Sequence, residues 1–445
     1  MPAGSSLDVP SALISQYSHI GSGKDNDVLF RPENGISQND YRDALSVSDD
    51  ATDTPRSLYV HLPFCPVRCL NCDNNTVITH DTEPVDRYLD TLEQELDLLT
   101  DTTGTARQLQ QLHLGGGSPN YLNDRQLVRL MAIVDEHFCI DEDTELSMDA
   151  NPRRCSPSQL ALLRNLGFER VFFGIRELDP QVQLAIGRTT SLDMVRDVFE
   201  TAREAGFRTI GVDVMYGLPC QTEDGLKRTV DNLLALSPDR IACVAFTRKA
   251  TERVHQAAID RCAVPSLADK LVLFNALVQG LTADYHWIGL DNFAKPDDEL
   301  AIAQAEHRLN RSWLGYSHLP PTDLFGVGTN AISDFKDLCV QNHLTLDPWH
   351  QSVGLGAFPI RGGIRLSTQQ KLQRDAIREL VCNMELEDYS PLMACDESDE
   401  ATWTGYAEDG LLSITSESMR LTHEGRYLLP HLLASRAASP LHTLT

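Results

Sequence analysis

From about Ser57 onward the sequence repeats one pattern, in which a short β-rich run is followed by a loop and then by an amphipathic helix. Strands that alternate with helices favour a mostly parallel sheet, because each helix returns the chain to the edge where the next strand begins. Six such units are fewer than the eight of a closed TIM barrel. The pattern therefore predicts an α/β fold with a partial (β/α)6 barrel, and a functional site at the carboxyl ends of its strands. The predicted strands span residues 58–62, 111–114, 145–149, 170–174, 209–215 and 240–246.

The two ends of the chain do not follow this pattern. The first 55 residues are rich in Ser, Asp, Asn and Gly, which predicts an extended arm with one short helix near residues 40–45. After about Lys336 two helices and a hairpin are predicted, an arrangement that resembles a small winged-helix module. We therefore predict three parts, which are an arm over residues 1–55, a core over residues 56–335 and a smaller, mainly helical C-terminal domain over residues 336–445.

The charge balance restricts the partners of the chain. Lys and Arg number 38 and Asp and Glu number 64, so the formal net charge is −26. An acidic protein repels phosphate backbones and no basic patch compensates, so we expect no nucleic-acid partner and interpret the C-terminal domain as a packing or lid domain. The sequence has no run of about 18 apolar residues and no signal-peptide pattern at its start, so we expect a cytoplasmic protein without a membrane span.

Three of the eleven cysteines stand close together in the sequence. Cys65, Cys69 and Cys72 have the spacing C-x3-C-x2-C and follow the first predicted strand, within a loop. Thiolates at this spacing can reach one metal centre, and a loop can wrap around such a centre as a regular strand cannot. The other eight cysteines are dispersed, and we interpret them as small buried hydrophobic residues.

Three thiolates are compatible with more than one kind of metal centre. A structural zinc ion requires four ligands, and no fourth Cys or His follows at zinc-finger spacing, although His61 and His80 are near in sequence. A four-iron cluster held by three thiolates leaves one iron open to a small molecule. The spacing favours the cluster, and structural zinc or unliganded thiols remain the alternatives.

Further motifs are spread in order along most of the chain, over about residues 57–429. They are Leu58-Tyr-Val-His-Leu-Pro-Phe-Cys, Leu114-Gly-Gly-Gly-Ser-Pro-Asn-Tyr-Leu, Asp213-Val-Met-Tyr-Gly-Leu-Pro, Asp291-Asn-Phe-Ala-Lys-Pro-Asp-Asp-Glu-Leu-Ala, Thr322-Asp-Leu-Phe-Gly-Val-Gly, Arg374-Asp-Ala-Ile and Ala407-Glu-Asp-Gly-Leu-Leu. Together with the cysteine spacing, these motifs resemble the radical S-adenosylmethionine (SAM) superfamily and, within it, the oxygen-independent coproporphyrinogen III oxidases, which are also called dehydrogenases.

The resemblance implies specific cofactor residues in a radical SAM barrel. Cys65, Cys69 and Cys72 would hold a [4Fe-4S] cluster, and the glycine run would bind the amino-acid end of SAM. A second SAM is also implied, since the resembled family is known to bind one. The residues alone leave alternatives, because a glycine run can be only a tight turn, and charged residues such as Arg188 and Asp213 can form surface ion pairs. The residues assigned to SAM are Tyr59, Gly116, Gly117, Ser118, Asp149, Arg176, Arg188, Asp213, Thr247 and Ile332.

The resemblance also implies an activity. In the resembled oxidases a SAM-derived radical takes a β-hydrogen from a propionate of coproporphyrinogen III, carbon dioxide leaves and a vinyl group remains. Two such steps give protoporphyrinogen IX, so the chain is expected to be an enzyme of haem and porphyrin biosynthesis. The expected partners are a tetrapyrrole substrate and an unidentified electron donor, and we expect a monomer.

Several positions differ from the pattern of the resembled oxidases. Two alternatives therefore stay open, namely a radical SAM haem chaperone that only binds haem, and a radical SAM enzyme for another substrate, with Arg176, Arg248 and Lys249 suited to an anion. A buried Arg176 needs a carboxylate, which could come from a substrate propionate, from SAM, from Glu177 or from another nearby acid. The differences are Asn74 in place of a further cysteine, Asn71 in place of an aromatic residue, Arg176 in place of Gln, Thr247 in place of Ala, and the stretch 246–250.

Overall fold

The structure is a computed structural model, and it describes residues 35–50, 55–103, 107–393 and 397–434. These residues form twenty strands and fourteen helices. The strands are β1 (Arg56–Leu62), β2 (Phe64–Cys65), β3 (Val77–Ile78), β4 (Arg107–Gly116), β5 (Phe138–Cys139), β6 (Glu145–Ala150), β7 (Arg170–Arg176), β8 (Thr209–Tyr216), β9 (Arg240–Ala245), β10 (His286–Gly289), β11 (Asn292–Ala294), β12 (Asn310–Ser312), β13 (Gly315–Ser317), β14 (Asp323–Val327), β15 (Ile332–Asp334), β16 (Leu338–Asn342), β17 (Ile360–Arg365), β18 (Glu385–Leu386), β19 (Leu412–Ile414) and β20 (Met419–Leu421). The helices are α1 (Gln38–Asp50), α2 (Glu83–Thr103), α3 (Asp124–His137), α4 (Pro157–Asn165), α5 (Pro180–Ala185), α6 (Leu192–Glu204), α7 (Glu223–Leu236), α8 (Leu267–Leu281), α9 (Glu299–Ala305), α10 (Leu346–Gly354), α11 (Thr368–Asn383), α12 (Ser390–Met393), α13 (Glu397–Glu408) and α14 (His423–Ala434).

One large sheet forms the core of the fold. Its parallel strands follow the order β14–β1–β4–β6–β7–β8–β9, and antiparallel strands continue the sheet at both ends. Six of these parallel strands are the predicted ones, so the prediction of an α/β fold with a partial barrel is confirmed. Strand β14, which pairs with β1, is absent from the prediction because the hairpin β12–β13, and not a helix, precedes it. The sheet also continues past residue 335, where a domain boundary is predicted, because β16 and β17 belong to it.

The packing of the first strand orients two polar side chains toward the inside of the barrel. Leu58, Val60 and Leu62 of β1 are fully buried and belong to the same hydrophobic core as the apolar face of α2. Burial of each such side chain contributes about 1.5–3 kcal/mol relative to exposure. Because successive side chains of a strand point to opposite faces, Tyr59 and His61 face the other way.

Local sequence signals set where several helices begin. Ser156 accepts a hydrogen bond from the Gln159 backbone N–H at 3.1 Å, and Pro157 occupies the first position of α4. Asn123 and Ser266 form capping boxes at the starts of α3 and α8. Such signals act within a few residues, which explains why the alternation of strands and helices can be predicted from the sequence.

Part of the predicted N-terminal arm packs on the core. The helix expected near residues 40–45 lies within α1, whose Tyr41 and Leu45 are buried. The Tyr41 hydroxyl lies 3.1 Å from Ser333 Oγ of β15. This stretch of the arm is not extended, because the helix buries an apolar face against the core. The rest of the predicted arm, apart from residues 35–37 and 55, lies outside the described residues.

The C-terminal part contains a second hydrophobic core. Helices α11, α13 and α14 accompany a small sheet with the strand order β18–β20–β19, and Leu380 and Trp403 are fully buried. The same core includes Ile288 of β10 and Tyr316 of β13, so the helical part packs against the edge of the main sheet. These elements match the predicted smaller, mainly helical module. None of the described helices is long and apolar enough to cross a membrane.

Candidate functional site

A cavity of about 460 Å³ lies inside the barrel, and we name it the central cavity. The side chains at alternate positions of a strand share one face, and several strands use this face to line the cavity. In α/β folds of this kind, ligands bind at the carboxyl ends of the parallel strands. Polar lining residues toward that end are Tyr59 and His61 of β1, His113 of β4, Ser147 and Asp149 of β6, and Asp213 of β8.

Aromatic and acidic groups contact one another in the central cavity. The Tyr59 hydroxyl lies 3.0 Å from His61 Nδ1, and the Tyr59 ring stacks on His113 with 6.0 Å between the ring centroids. His113 Nδ1 lies 2.8 Å from Ser147 Oγ, and His113 Nε2 lies 3.5 Å from Asp149 Oδ1. The Asp149 side chain is half-exposed, so a ligand in the cavity can reach its carboxylate.

Burial determines the protonation state of His61. It lowers the pKa of His61 to about 4, and the nearby Asp149 only partly opposes this shift. The ring is therefore neutral at neutral pH. His61 and His113 are cavity residues that were not predicted from the sequence. One signal could have identified His61: it lies two positions after Tyr59 on a predicted strand, so the two side chains share one face.

The three clustered cysteines lie in the loop that begins after β1. Cys65 ends β2, and its Sγ lies 3.4 Å from Ser118 Oγ, directly after the glycine run. Cys69 is buried, whereas Cys65 and Cys72 are partly buried. Burial raises the pKa of the Cys65 and Cys72 thiols. A metal centre or nearby cations must therefore favour the thiolate form that binds metal.

Two guanidinium groups lie beside the middle cysteine. Nitrogens of Arg188 and Arg153 lie 3.4 and 3.7 Å from Cys69 Sγ. Arg188 is buried, and it also donates hydrogen bonds to the Gly174 carbonyl and to Asn151 Oδ1. Two cationic groups therefore contact the sulfur of Cys69. Arg188 thus lies against a cysteine of the loop, and its predicted contact with SAM stays a prediction.

The distances between the three thiol sulfur atoms can be compared with those around a single zinc ion. Among the described residues, the only three Cys, His, Asp or Glu side chains found with ligand atoms all within 4.8 Å of one another are Glu145, Glu299 and His318. Both of these carboxylates pair with Arg170. Thiolates on one tetrahedral zinc ion would lie about 3.8 Å apart, since the Zn–S distance is about 2.3 Å. The sulfur atoms of Cys65, Cys69 and Cys72, all within the described residues, do not all lie within 4.8 Å of one another.

The glycine run packs tightly against the neighbouring strand. A Cβ atom on Gly115 would lie 2.8 Å from the Tyr59 ring, and one on Gly116, whose φ is +112°, would lie 2.9 Å from the His61 ring. The Gly116 carbonyl accepts a hydrogen bond of 2.6 Å from Asn74 Nδ2, which ties the run to the cysteine loop. These contacts require glycine for internal packing alone, as in the tight-turn alternative. Contact of the run with SAM stays a prediction.

Arg176 forms an ion pair with an acid of the adjacent strand. Its Nη1 lies 3.3 Å from Asp213 Oδ2, and its backbone has a φ of 74° at an irregular point of the pairing between β7 and β8. Glu177 instead accepts hydrogen bonds from the backbone N–H groups of Leu178 and Asp179. Burial raises the pKa of Asp213 to about 6, and the Arg176 charge opposes this shift. The carboxylate that Arg176 needs is therefore Asp213, one of the nearby acids left open by the sequence.

A further cavity, of about 360 Å³, lies beside the cysteine loop, and we name it the second cavity. It adjoins the carboxyl ends of β8 and β9 and is bounded by Asn71 and Asp73 of the cysteine loop and by residues of α14. Thr247 lines this cavity. Lys249 forms an ion pair of 2.9 Å with Asp73. Two of the cations considered for an external anion, Arg176 and Lys249, are thus paired with acids of the chain itself.

The predicted SAM residues are distributed over neighbouring places at one end of the barrel. Five of them line the central cavity, namely Tyr59, Gly116, Asp149, Asp213 and Ile332. Ser118 and Arg188 contact cysteines of the loop, and Gly117 donates its N–H to the Leu62 carbonyl. Arg176 pairs with Asp213, and Thr247 lines the second cavity.

Comparison with known proteins relates this arrangement to one family. Residues 59–233 match the profile of the Radical SAM superfamily. The chain is 36% identical over 393 residues to the oxygen-independent coproporphyrinogen III oxidase of Synechocystis sp.. That alignment covers 86% of this chain and 84% of the relative. The chain is 34% identical over 390 residues to the enzyme of the same name from Escherichia coli, with 85% and 84% covered. The chain belongs to the oxygen-independent coproporphyrinogen III oxidase family.

A solved structure supports the same relationship. The solved structure of coproporphyrinogen III oxidase from Escherichia coli, described as a radical SAM enzyme, superposes with a TM-score of 0.86 at 33% identity. The superposition covers 96% of this chain and 98% of that one. The predicted radical SAM barrel is thereby confirmed. A [4Fe-4S] cluster and SAM are the cofactors of this radical SAM family. The three free cysteines of one loop and the cations at Cys69 fit such a cluster.

Proposed function

We propose that this chain catalyses the oxygen-independent oxidative decarboxylation of coproporphyrinogen III propionates to vinyl groups, which forms protoporphyrinogen IX in haem biosynthesis. The observation that carries this proposal is the match of at least 33% identity to the named oxidases over most of both chains. The central cavity agrees with this proposal, because polar side chains of several strands line it beside the cysteine loop. The relatives above are named oxidases, which favours an enzyme over a haem-binding chaperone.

In this function the residues of the chain hold, orient and enclose the reactants. Cys65, Cys69 and Cys72 would hold the cluster through three of its four irons, and Arg188 would donate a hydrogen bond to Cys69 Sγ. When bound, the cluster and SAM supply the radical chemistry that removes hydrogen from the substrate. Asp149, half-exposed in the central cavity, would orient the charged amino-acid end of SAM.

The remaining assignments follow from the position of each residue. Tyr59, Gly116 and Ile332 line the central cavity and would shape the SAM pocket there. Thr247 lies in the second cavity, so it would contact a group bound on that side of the cysteine loop. We further propose that the chain works in the cytoplasm as a monomer and receives electrons from a donor that is not yet identified.

Anaerobic turnover tests the proposed function. Reconstituted protein with SAM, a reductant and coproporphyrinogen III should release two molecules of carbon dioxide for each protoporphyrinogen IX formed, as measured by product mass analysis. The Cys65→Ala variant, which lacks a cluster ligand, should give neither product. Formation of 5′-deoxyadenosine without any protoporphyrinogen would indicate a different substrate. Stoichiometric haem binding without turnover would favour the chaperone.

The ion pair between Arg176 and Asp213 gives a test of the SAM site. In an Arg176→Gln variant the pKa of Asp213 should rise above about 6, because the guanidinium that favours its charged form is lost. We propose that charged Asp213 contacts SAM, so affinity for SAM should begin to fall at a higher pH in the variant than in the wild type as the medium is acidified. Equilibrium binding of labelled SAM across the pH range measures this shift. Arg176→Lys keeps the charge and is the control, and identical pH profiles for all three proteins would contradict the assignment.

A further inference from the structure

Among the described residues, one lysine of the second cavity forms no ion pair with an acid. Lys270 of α8 lines the cavity, and its Nζ donates a hydrogen bond of 2.6 Å to the Phe246 carbonyl. No ion pair joins Lys270 to an acid among the described residues. Burial lowers the pKa of Lys270, and no nearby carboxylate opposes this shift. An ammonium group has three donors, so two donors of Lys270 remain available to a ligand.

The other cations of the second cavity are compensated by acids. Lys249 pairs with Asp73, as described above. Arg311 lies near Asp291, where its charge lowers the pKa of that carboxyl group against the effect of burial. Lys270 is therefore the cation of this cavity whose charge is left for a bound anion.

A glycine lets the lysine reach the cavity. The stem of Lys270 crosses Gly217, where an added Cβ atom would lie 2.8 Å from the lysine Cγ and Cε. Gly217 has a φ of +77° and follows β8, within the segment Asp213–Pro219. The backbone at Gly217 therefore leaves room for the methylene groups that carry the ammonium past the end of β8. This arrangement holds a charged group in a partly buried place, which costs free energy unless a partner compensates it.

The walls of the second cavity suit an apolar body that carries acidic groups. Apolar and aromatic residues such as Val244, Phe274 and Tyr427 line the cavity together with Lys270. The volume of about 360 Å³ lies within the range of ligand pockets, about 300–1,000 Å³. Asn71, between two cluster cysteines, borders the same cavity. A ligand bound here would thus lie next to the cysteine loop.

We propose that Lys270 binds a carboxylate of the substrate in the second cavity. This contact would place one acid-bearing pyrrole of the tetrapyrrole beside the cysteine loop. This inference rests on the proposed function, because that function supplies a substrate with several propionates. A protein with a net charge of −26 repels such a polyanion at long range. A local cation without an acid partner offsets this repulsion at the site where the substrate must dock. Lys270 takes no part in bond breaking and acts only in binding.

Binding of two matched probes tests the role of Lys270. The probes are coproporphyrin III, which carries four carboxylates, and its tetramethyl ester, which carries none; their affinities for the reconstituted protein with SAM can be measured by fluorescence. Lys270→Met should weaken binding of the free acid by about tenfold or more and leave the affinity for the ester unchanged, since only the free acid loses a hydrogen bond between charged groups. Lys270→Arg, which keeps the charge, should retain most of the affinity for the acid.

Two further variants control for folding and for general charge effects. Lys371→Met removes a lysine that lines a different cavity and should leave both affinities unchanged. Gly217→Ala displaces the lysine stem without removing its charge, and it should weaken binding of the free acid as Lys270→Met does. Iron content and SAM affinity equal to those of the wild type show that a variant has folded.

The outcomes separate the inference from the proposed function. If the wild type turns over coproporphyrinogen III and Lys270→Met binds the free acid as tightly as the wild type, the inference is wrong and the function stands. If the wild type shows no turnover while Lys270→Met still loses affinity for the free acid only, the lysine binds carboxylates and the proposed substrate is wrong. Equal loss of affinity for acid and ester would also overturn the inference, because a carboxylate contact cannot weaken binding of the ester.

Discussion

Replacement of Cys65, Cys69 or Cys72 by alanine should lower the iron content of anaerobically reconstituted protein from about four atoms per chain to nearly none. Each thiolate holds one iron of the cluster, so each of the three cysteines is needed to hold it. Loss of one ligand therefore leaves a second iron open and the cluster labile. Iron and sulfide analysis, with the visible absorbance of the cluster, measures the effect.

Cysteines outside the loop are the matched controls for this prediction. Cys139 and Cys220 are exposed, so the interpretation of the dispersed cysteines as buried residues is wrong for these two, and both lie away from the three ligands in sequence. Alanine at either position should leave about four irons per chain. One zinc ion per chain in wild-type protein purified without air, and no iron after reconstitution, would contradict the cluster and restore the zinc alternative.

Replacement of Glu95 should lower the free energy of unfolding substantially, because this side chain joins distant parts of the fold. Its carboxylate is buried and accepts hydrogen bonds from Gly328 N–H at 2.8 Å, Trp349 Nε1 at 2.9 Å and Asn342 Nδ2 at 2.6 Å. These donors come from the end of β14, from α10 and from β16, so one side chain of α2 joins three elements that are distant in sequence. Beside them the Tyr88 hydroxyl donates to the His61 carbonyl at the end of β1.

Glu95→Leu should destabilise the protein by at least about 3 kcal/mol, because three buried donors would each lose a partner at a cost of about 1–3 kcal/mol. The apparent melting temperature should fall by roughly 5 °C or more. Gln94→Leu is the control, since residue 94 is an exposed neighbour on the same helix. A similar melting temperature for Glu95→Leu and the wild type would show that the network does not stabilise the fold.

The same carboxylate predicts a dependence of stability on pH. Burial raises the pKa of Glu95 from 4.5 to about 7 in the folded protein. Between these values the folded state binds more protons than the unfolded state, so the free energy of unfolding falls as the pH rises through this window. Glu95→Gln cannot titrate, so its melting temperature should fall less than that of the wild type over the same pH range. Parallel pH curves would contradict the assigned pKa.

The features that were predicted from the sequence depend on short-range signals. The six strands and the helices between them follow from the spacing of apolar residues and from caps such as Ser156, all of which act within one element. The cysteine spacing places three thiols in one short loop, so their proximity needs no tertiary information. The family resemblance rests on motifs of the same local kind.

The features that were missed depend on residues brought together from distant parts of the chain. Strand β14 pairs with β1 across more than 250 residues, as in the register of Ser57 with Leu324, and nothing in its own five residues specifies that partner. The partner of Arg176 lies on the next strand, so the sequence left Asp213 as one of several acids.

The sequence by itself determined the α/β class, the cysteine loop and the family, because hydrophobic periodicity and motif spacing are properties of consecutive residues. Only the tertiary structure decided which face of each strand forms the central cavity, that His61 fills the space beside Gly116, and that Lys270 reaches the second cavity across Gly217. Those relations depend on how strands and helices pack against one another. They join residues whose separation in sequence carries no information about their separation in space.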